Sequence, residues 1–306
     1  MNSGNRAVAI GAFDGVHLGH QEIIKLAVDA AKRRGMGSMV ITFDPNPLAV
    51  LHPEFKTTCL TSAAFRARLI ERLGVDELLE IPFTKAFSHI RWDRFCEMLS
   101  GPPIGAQTIA VGRNFRFGHG GEGTAKMLRD ASRAREIDVS IPGLVTSADG
   151  KPISSTRVRR LVTQGDILEA NALLGRAHCL EGIVVHGDGR GAGLGVPTAN
   201  VDVSPRAAVP ARGVYAGRVR VGDEVWAAAI NVGVAPTFRD VGSVRVEAFL
   251  IDFPDRSIYD EHTSVAFLER LRGEQRFSSP DLLVAQIHKD IARARDVAAG
   301  AEDPLC

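Results

Sequence analysis

Apolar positions along the first half of the chain follow two spacings, one typical of buried strands and one typical of helices. Ala7–Ala12 is a short apolar run that ends at a glycine turn, which predicts a buried strand. From His20 the apolar residues recur at helical spacing as far as a basic last turn and Gly35, so a helix is predicted there. Met39–Phe43 is apolar and rich in β-branched residues and predicts a second strand. This βαβ order makes the two strands parallel.

The same alternation continues to about residue 174. It is typical of an open parallel sheet with helices on both faces, which is a Rossmann-like α/β domain. The further elements predicted in this half are helices at Ala63–Leu73, Trp92–Leu99 and Ile167–Leu174 and strands at Leu78–Ile81 and Thr108–Val111.

The second half is broken by Gly, Asp and Pro instead of by long helical stretches, which predicts an antiparallel sheet or small β-barrel. A closing amphipathic helix is expected to begin at Pro280. We therefore predict two domains, residues 1–177 and 178–306. The predicted strands of the second domain are Glu181–His186, Gly213–Val221, Val225–Val232 and Val244–Phe253.

Composition narrows the classes of partner. The chain has 37 basic and 36 acidic side chains, a net charge of +1, so neither nucleic acid nor a membrane surface is an expected partner. No apolar run approaches the roughly 20 residues of a membrane span, and no signal-peptide pattern opens the chain. The four cysteines form no C-x-x-C pair, which excludes a zinc knuckle. We expect a cytoplasmic protein that acts on small molecules and can form a weak homo-oligomer.

The segment GAFDGVHLGH, Gly11–His20, joins the first predicted strand to the first predicted helix. Ligands of open α/β sheets bind at this position, and a helix N-terminus favours phosphate. His17 and His20 are three residues apart and share a face in a first helical turn, where two imidazoles can donate hydrogen bonds to a polyphosphate. A pair of surface histidines and a pair of metal ligands remain alternatives. The glycines that permit a close approach are Gly11, Gly15 and Gly19.

GAFDGVHLGH resembles the G-x-F-D-x-x-H-x-G-H signature of the nucleotidyltransferase superfamily, whose members join a nucleoside triphosphate to a phosphorylated acceptor and release pyrophosphate. ISSTRVR, Ile153–Arg159, is similar to the superfamily's I-S-S-T-x-I-R segment, although Ser154 or Ser155 would also suit a helix cap. The resemblance implies that His17, His20 and Arg157 act in catalysis. It also implies an ATP site made of Gly11, Phe13, Asp14, Gly15, His17, Gly19, His20, Ser154, Ser155, Thr156 and Arg157.

Two stretches between these signatures resemble bacterial FMN adenylyltransferases. ITFDPNPLAVLHP, Ile41–Pro53, is similar to their T-F-D-P-H-P segment, with Asn46 where the family usually has His. VGRNFRFGHGGEG, Val111–Gly123, is similar to their V-G-x-[DN]-F-x-F-G stretch. The two phenylalanines of this stretch would suit a hydrophobic core equally well. The flavin-binding residues that the resemblance implies are Asn46, Asn114, Phe115 and Phe117.

The second half holds a glycine-rich segment, HGDGRGAGLGVPTANV, His186–Val201, which can wrap a phosphate or form a flexible hairpin. It lacks the G-K-[ST] ending of a Walker A loop. Thr198 and Asn200 are two apart in an extended segment, so they point to one side, and their neutral oxygens suit Mg²⁺ bridging ATP phosphates.

GLGVPTAN resembles the G-x-x-L-G-[FY]-P-T-A-N signature of riboflavin kinases, and GVYAG, INVGVAPTF and VEAFLIDF match the same family in order. The chain thus resembles the bacterial bifunctional riboflavin kinase/FMN adenylyltransferases, also called FAD synthetases. The resemblance implies that Glu247 is a general base, which residue type alone would make a solvent-facing strand carboxylate. It also implies ATP binding by Gly191, Gly195, Pro197 and Thr198 and Mg²⁺ binding by Thr198 and Asn200.

These resemblances predict that the second domain converts riboflavin and ATP to FMN and that the first converts FMN and ATP to FAD, with Mg²⁺ as cofactor. Two alternatives stay open. The first domain can serve a different phosphorylated acceptor. The second domain can bind flavin without catalysis, because Ala192 and Val196 stand where Arg and an aromatic residue are common in the family.

Overall fold

The computed structural model describes residues 5–187, 195–234 and 244–301. The chain forms two compact units, one of Met1–Cys59 with Ala63–Ser155 and the other of Leu60–Ser62 with Thr156–Cys306. The boundary between functional domains at residues 177 and 178 remains a prediction. Within the described ranges, no helix is long and apolar enough to cross a membrane.

The first unit is built on a five-stranded sheet whose spatial order is β3-β2-β1-β4-β7, with every neighbouring pair parallel. A separate antiparallel pair, β5-β6, follows β4. The strands are β1 (Arg6–Ile10), β2 (Gly37–Asp44), β3 (Glu77–Pro82), β4 (Ala106–Val111), β5 (Arg116–Phe117), β6 (Gly123–Thr124) and β7 (Asp138–Ser140). The helices are α1 (Leu18–Arg34), α2 (Pro47–Leu51), α3 (Ala63–Glu71), α4 (Lys85–Ser88), α5 (Trp92–Ser100) and α6 (Ala125–Arg133).

Helices cover both faces of this sheet because its central strand is apolar on both sides. Val8 and Ile10 of β1 pack in one cluster with side chains of α5 and α6. Ala7 and Ala9 alternate with them, are equally buried, and face the opposite side, where α1 packs on β1, β2 and β4. The predicted Rossmann-like α/β unit is confirmed.

The second unit is a closed six-stranded barrel with the order β10-β11-β12-β9-β8-β13, and every neighbouring pair is antiparallel. The predicted barrel and its closing helix are confirmed, and β13 is an additional strand that the sequence pattern did not reveal. The elements are α7 (Ser155–Gln164), α8 (Ile167–Leu174), β8 (His178–Val185), β9 (Ala199–Val203), β10 (Gly213–Val221), β11 (Glu224–Val234), β12 (Val244–Leu250), β13 (His262–Arg272) and α9 (Pro280–Ala299).

Alternate residues of the barrel strands fill its interior, and helix α9 covers part of its outer face. Val246 and Ala248 of β12 belong to the interior cluster. Phe249, of the opposite parity, packs instead with a small cluster that includes Ala294 and Ile291 of α9. Side chains of the same parity as Phe249 therefore project from the outer face of the barrel.

The buried histidine at the start of β8 makes the stability of the barrel depend on pH. The Nε2 atom of His178 lies 2.8 Å from the carbonyl oxygen of Ala208, to which it donates as a neutral ring. Burial lowers the pKa of His178 to about 4. Its pKa in the unfolded chain is about 6.5, so the unfolded state binds a proton between these values that the folded state does not. Stability is therefore lost as pH falls from about 6.5 toward 4.

We expect the free energy of unfolding to fall between pH 7.5 and pH 5 by about 2 kcal/mol more in the wild type than in the His178→Gln variant. The glutamine cannot be protonated, and its amide retains a donor for Ala208. Urea unfolding of both proteins at the two pH values measures the difference. Equal pH dependence of the two proteins would contradict the assignment of a neutral buried ring.

Candidate functional site

Segments that carry the predicted ligand-binding residues leave the first sheet at one edge. β1 is hydrogen-bonded between β2 and β4, with Ile10 opposite Ile41 on one side and Val111 on the other. Because the strands are parallel, the segments after β1, β2 and β4 all emerge at their carboxyl ends. Those segments contain the Gly11–His20 turn, Asn46 and Asn114, respectively.

The turn between β1 and α1 is fastened to the neighbouring strand β2. The backbone N–H of Gly11 donates to the carbonyl oxygen of Ile41 at 3.1 Å. The hydroxyl of Thr42 donates to the carbonyl oxygen of Ala12, also at 3.1 Å. Thr42 is a wholly buried residue that the sequence reasoning did not single out, because its partner lies in a segment distant in sequence.

Backbone strain is concentrated in this turn. Phe13 and Val16 have φ angles of 48° and 41°, in the left-handed region that side-chain-bearing residues rarely adopt, and Gly15 between them has a φ of 84°. Both Phe13 and Val16 are buried, so packing holds the strained backbone. Strained non-glycine residues of this kind cluster at ligand-binding sites.

The two histidines of the turn form a stacked pair at the N-terminus of α1. His17 is the N-cap residue, and its Nδ1 accepts from the backbone N–H of His20 at 3.3 Å. The rings are 3.6 Å apart between centroids and inclined by 18°. A Cβ atom on Gly19 would lie 3.2 Å from Cε1 of His17, so the glycine gives the ring its place against the helix. His17 is 5% exposed, which does not fit two surface histidines.

A hydrogen bond joins the two predicted nucleotide signatures. Ser155 is the first residue of α7, and its hydroxyl donates to the backbone carbonyl of Asp14 at 2.9 Å. The side chain of Asp14 is buried, and Ser154 immediately precedes the helix. The turn after β1 and the start of α7 therefore meet within the first unit.

Thr156 and Arg157 continue α7 in the second unit. The guanidinium of Arg157 makes an ion pair with Glu169 of α8, with 2.7 Å between Nη2 and Oε1. Arg157 is thus held by a carboxylate, and its predicted contact with a nucleotide remains a prediction.

The predicted flavin-binding residues fall into two environments. Asn46 is buried and caps α2, because its Oδ1 accepts from the backbone N–H of Leu48 at 3.0 Å. Phe117 is 7% exposed and belongs to the core of the first unit, as the alternative interpretation allowed. Asn114 is exposed and Phe115 is half-buried, and both line a cavity of about 1020 Å³.

A buried arginine supports the segment that carries Asn46. The side chain of Arg66 in α3 is 4% exposed, and its Nη2 lies 2.8 Å from Glu80 and 3.7 Å from Asp44. Asp44 is the last residue of β2 and stands two residues before Asn46. The sequence pattern of α3 gave no signal for a buried cation, because the carboxylates that pair with Arg66 belong to the strands β2 and β3.

Three polar residues of the second unit form a row across adjacent strands of the barrel. Glu247 of β12 lies opposite Asn200 of β9 on one side and Asn231 of β11 on the other. The Nδ2 of Asn231 donates to Oε2 of Glu247 at 3.2 Å. Glu247 has the parity of the outer face, so the row lies on the outside of the barrel. Asn231 is a candidate that the sequence reasoning missed, although it stands within the INVGVAPTF stretch.

The start of the glycine-rich segment contacts this row. A Cβ atom on Gly187 would lie 2.1 Å from Nδ2 of Asn200, so only glycine fits there. Thr198 directly precedes β9, which brings it to the same end of the row. Gly195 and Pro197 are exposed, and Val196 is buried with 5% of its surface accessible. Gly191 and Ala192 lie outside the described residues.

Comparison with known families assigns the two halves of the chain separately. The family described as FAD synthetase matches residues 1–157, and the family described as riboflavin kinase matches residues 174–298.

Curated relatives match nearly the whole chain. The bifunctional riboflavin kinase/FMN adenylyltransferase of Listeria monocytogenes is 36% identical and covers 98% of this chain and 94% of its own. The proteins of the same name from Bacillus subtilis and Escherichia coli K12 are 34% and 33% identical and cover 92% and 94% of this chain. The shares of their own lengths that match are 89% and 91%.

A solved structure supports the same architecture. The Streptococcus pneumoniae protein that bears the name macrolide-efflux protein is 33% identical, with a TM-score of 0.85 over 95% of this chain and 94% of its own. The agreement in fold, in both family matches and in full-length relatives leaves one assignment. This chain belongs to the family of bifunctional riboflavin kinase/FMN adenylyltransferases.

Proposed function

We propose that the chain makes flavin nucleotides in two steps. The second unit transfers the γ-phosphoryl group of ATP to riboflavin and gives FMN and ADP. The first unit transfers the adenylyl group of a second ATP to FMN and gives FAD and pyrophosphate. We assign phosphorylation to residues 178–306 and adenylylation to residues 1–177, a division that differs from the two compact units because residues 156–177 belong to the second of them. The observation that carries the proposal is the stacked pair of His17 and His20 at the N-terminus of α1.

The adenylylation step needs no covalent nucleophile. An oxygen of the FMN phosphate attacks the α-phosphorus of ATP, and pyrophosphate leaves. Negative charge builds on the triphosphate in the transition state, where hydrogen-bond donors and a helix N-terminus stabilise it. The ring N–H groups of His17 and His20 supply those donors, and the hydroxyl of Ser155 keeps the turn beside them in place. Arg157 adds a cation at the start of α7.

The phosphorylation step needs a base, because its nucleophile is a neutral alcohol. The carboxylate of Glu247 accepts the proton of the riboflavin 5′-hydroxyl as the oxygen attacks the γ-phosphorus. Asn231 is a positioning residue that holds Oε2 of that carboxylate by a hydrogen bond. We also assign binding of the ATP phosphates to the glycine-rich segment, through Gly191, Gly195 and Pro197.

The oxygen atoms beside Glu247 suit Mg²⁺. Thr198 and Asn200 offer a hydroxyl and an amide oxygen at one end of the polar row, and Mg²⁺ prefers a few protein oxygens together with substrate phosphates. Within the described parts of the chain, no group of three His, Cys, Asp or Glu side chains is placed to hold a metal ion by itself. Bound there, Mg²⁺ would offset the charge of the ATP phosphates.

We expect replacement of His17 and His20 together by alanine to lower the rate of FAD formation from FMN by at least a hundredfold, because both donors to the triphosphate are lost. FMN formation from riboflavin should stay within twofold of the wild-type rate. Purified protein is incubated with ATP, Mg²⁺ and either flavin, and FMN and FAD are followed by chromatography.

A matched variant separates chemistry from folding. His17→Asn keeps an N-cap acceptor for α1 but removes the imidazole, so it should also slow FAD formation while its thermal unfolding stays close to that of the wild type. Unchanged FAD formation in the double alanine variant would contradict the assignment of His17 and His20 to adenylylation. Adenylylated products formed from phosphorylated acceptors other than FMN, with no FAD formed from FMN, would favour the alternative acceptor.

We expect Glu247→Gln to lower the rate of FMN formation about 10²- to 10⁴-fold, which is the usual contribution of a general base. Asn231→Leu should lower kcat about tenfold with little change in KM for riboflavin, since the carboxylate loses one hydrogen bond to an ionised group.

Adenylylation of added FMN is the internal control for both variants, because its site lies in the other unit. Loss of both activities would indicate misfolding. Retention of FMN formation by Glu247→Gln would overturn the role of the carboxylate. Flavin binding by the wild type without ATP turnover would favour a kinase half that only binds flavin.

A further inference from the structure

The cavity beside Asn114 and Phe115 is strongly basic. It measures about 1020 Å³ and lies entirely within the first unit, between the segment after β4, helix α6 and the segment after β7. One carboxylate, that of Asp130, faces five cationic side chains across its lining. The cations are Arg113, Arg116, Lys126, Arg129 and Arg133.

Only part of this positive charge is neutralised within the protein. Lys126 and Arg133 both pair with Asp130, at 3.4 and 3.6 Å. Arg113, Arg116 and Arg129 make no ion pair or side-chain hydrogen bond with any described residue. Three guanidinium groups with unused donors on one concave surface create a positive potential that favours an anion.

The position of the cavity relates it to the nucleotide turn. Val111 ends β4 and lies opposite Ile10, the last residue of β1. Arg113 is two residues beyond Val111, at the same carboxyl end of the sheet from which the turn with the histidine pair leaves β1. The half-buried ring of Phe115 adds an aromatic surface, and Asn114 adds an amide. The lining therefore combines guanidinium groups for a phosphate with surfaces for a ring system.

We propose that this cavity selects the phosphorylated flavin over the unphosphorylated one, and that Arg113, Arg116 and Arg129 are the residues that read its phosphate. The inference rests on the proposed adenylylation of FMN. FMN and riboflavin differ only in a phosphate monoester, which carries a charge of about −1.5 to −2 at pH 7. The cavity is at the upper end of the range of small-molecule pockets, about 300–1,000 Å³, which is large enough for a nucleotide.

The test is a steady-state study of FAD formation by the full chain in which the three arginines are replaced by glutamine. We expect KM for FMN to rise tenfold or more, with kcat within threefold of the wild-type value, because hydrogen bonds from charged groups to the phosphate are lost. The dependence of kcat/KM on salt should weaken as well. The matched control is Lys25→Gln, Lys32→Gln and Arg33→Gln, which removes three exposed cations from α1 and should change neither constant.

A second measurement separates recognition of the phosphate from recognition of the ring. Lumiflavin has the isoalloxazine ring but no phosphate and no hydroxyl to phosphorylate, so its inhibition constant for FAD formation should stay within twofold in the arginine variant. Equal weakening of lumiflavin and FMN, or an unchanged KM for FMN, would overturn the proposal. A variant with altered inhibition by inorganic pyrophosphate but an unchanged KM for FMN would show that the cavity serves the leaving group instead.

One further variant and one internal control keep the result interpretable. Arg113 and Arg116 are exposed, so their double replacement by glutamine tests the proposal even if loss of the half-buried Arg129 prevents folding. FMN formation by the second unit reports on the integrity of each preparation. If the wild type makes no FAD from FMN and ATP, the proposed function itself is refuted. If it makes FAD but KM for FMN is the same in the arginine variants, only the role of the arginines in selecting FMN is refuted.

Discussion

The strict alternation of side chains along strands that pack against a hydrophobic core fixes both candidate sites. In the barrel, Val246 and Ala248 fill the interior, so Glu247 between them must project outward and meet Asn200 and Asn231 from its neighbours. A shift of one residue in register would put the carboxylate into the apolar interior and two apolar side chains into water. The cost of such a shift makes the position of the polar row a consequence of the core.

In the first unit, the position of the candidate site is fixed by a strand, β1, that is buried on both faces. Because β1 is bonded to β2 and β4, the chain leaves the sheet at a fixed point and must reach α1 through a short turn. Phe13 and Val16 are forced into unfavourable backbone angles there, and their burial supplies the compensating contacts. The helix N-terminus that results presents two stacked imidazoles.

Local patterns were enough to predict β1 to β4 and α1, α3 and α5 of the first unit, the barrel of the second and the HxGH turn, but not α6 or β7. They were insufficient for residues whose role depends on distant partners. The hydroxyl of Thr42 donates to the carbonyl oxygen of Ala12 in the turn after β1, and Arg66 pairs with carboxylates of β2 and β3. The residues next to Thr42 and Arg66 in the sequence give no sign of either contact. Asn231 acquires its contact with Glu247 only when β11 and β12 pair. Strand β13 was missed because its buried start runs without a turn into charged residues.

The distribution of charge between the units follows from the nucleophile that each is proposed to handle. A phosphate is already ionised at neutral pH, so a site that uses it as a nucleophile needs donors and cations, such as the imidazoles at α1 and the arginines around Arg113. An alcohol is neutral and must lose a proton, so its site needs a carboxylate flanked by neutral oxygens and amides. The row around Glu247 has that composition, and exchanging the two environments would leave each reaction without its essential group.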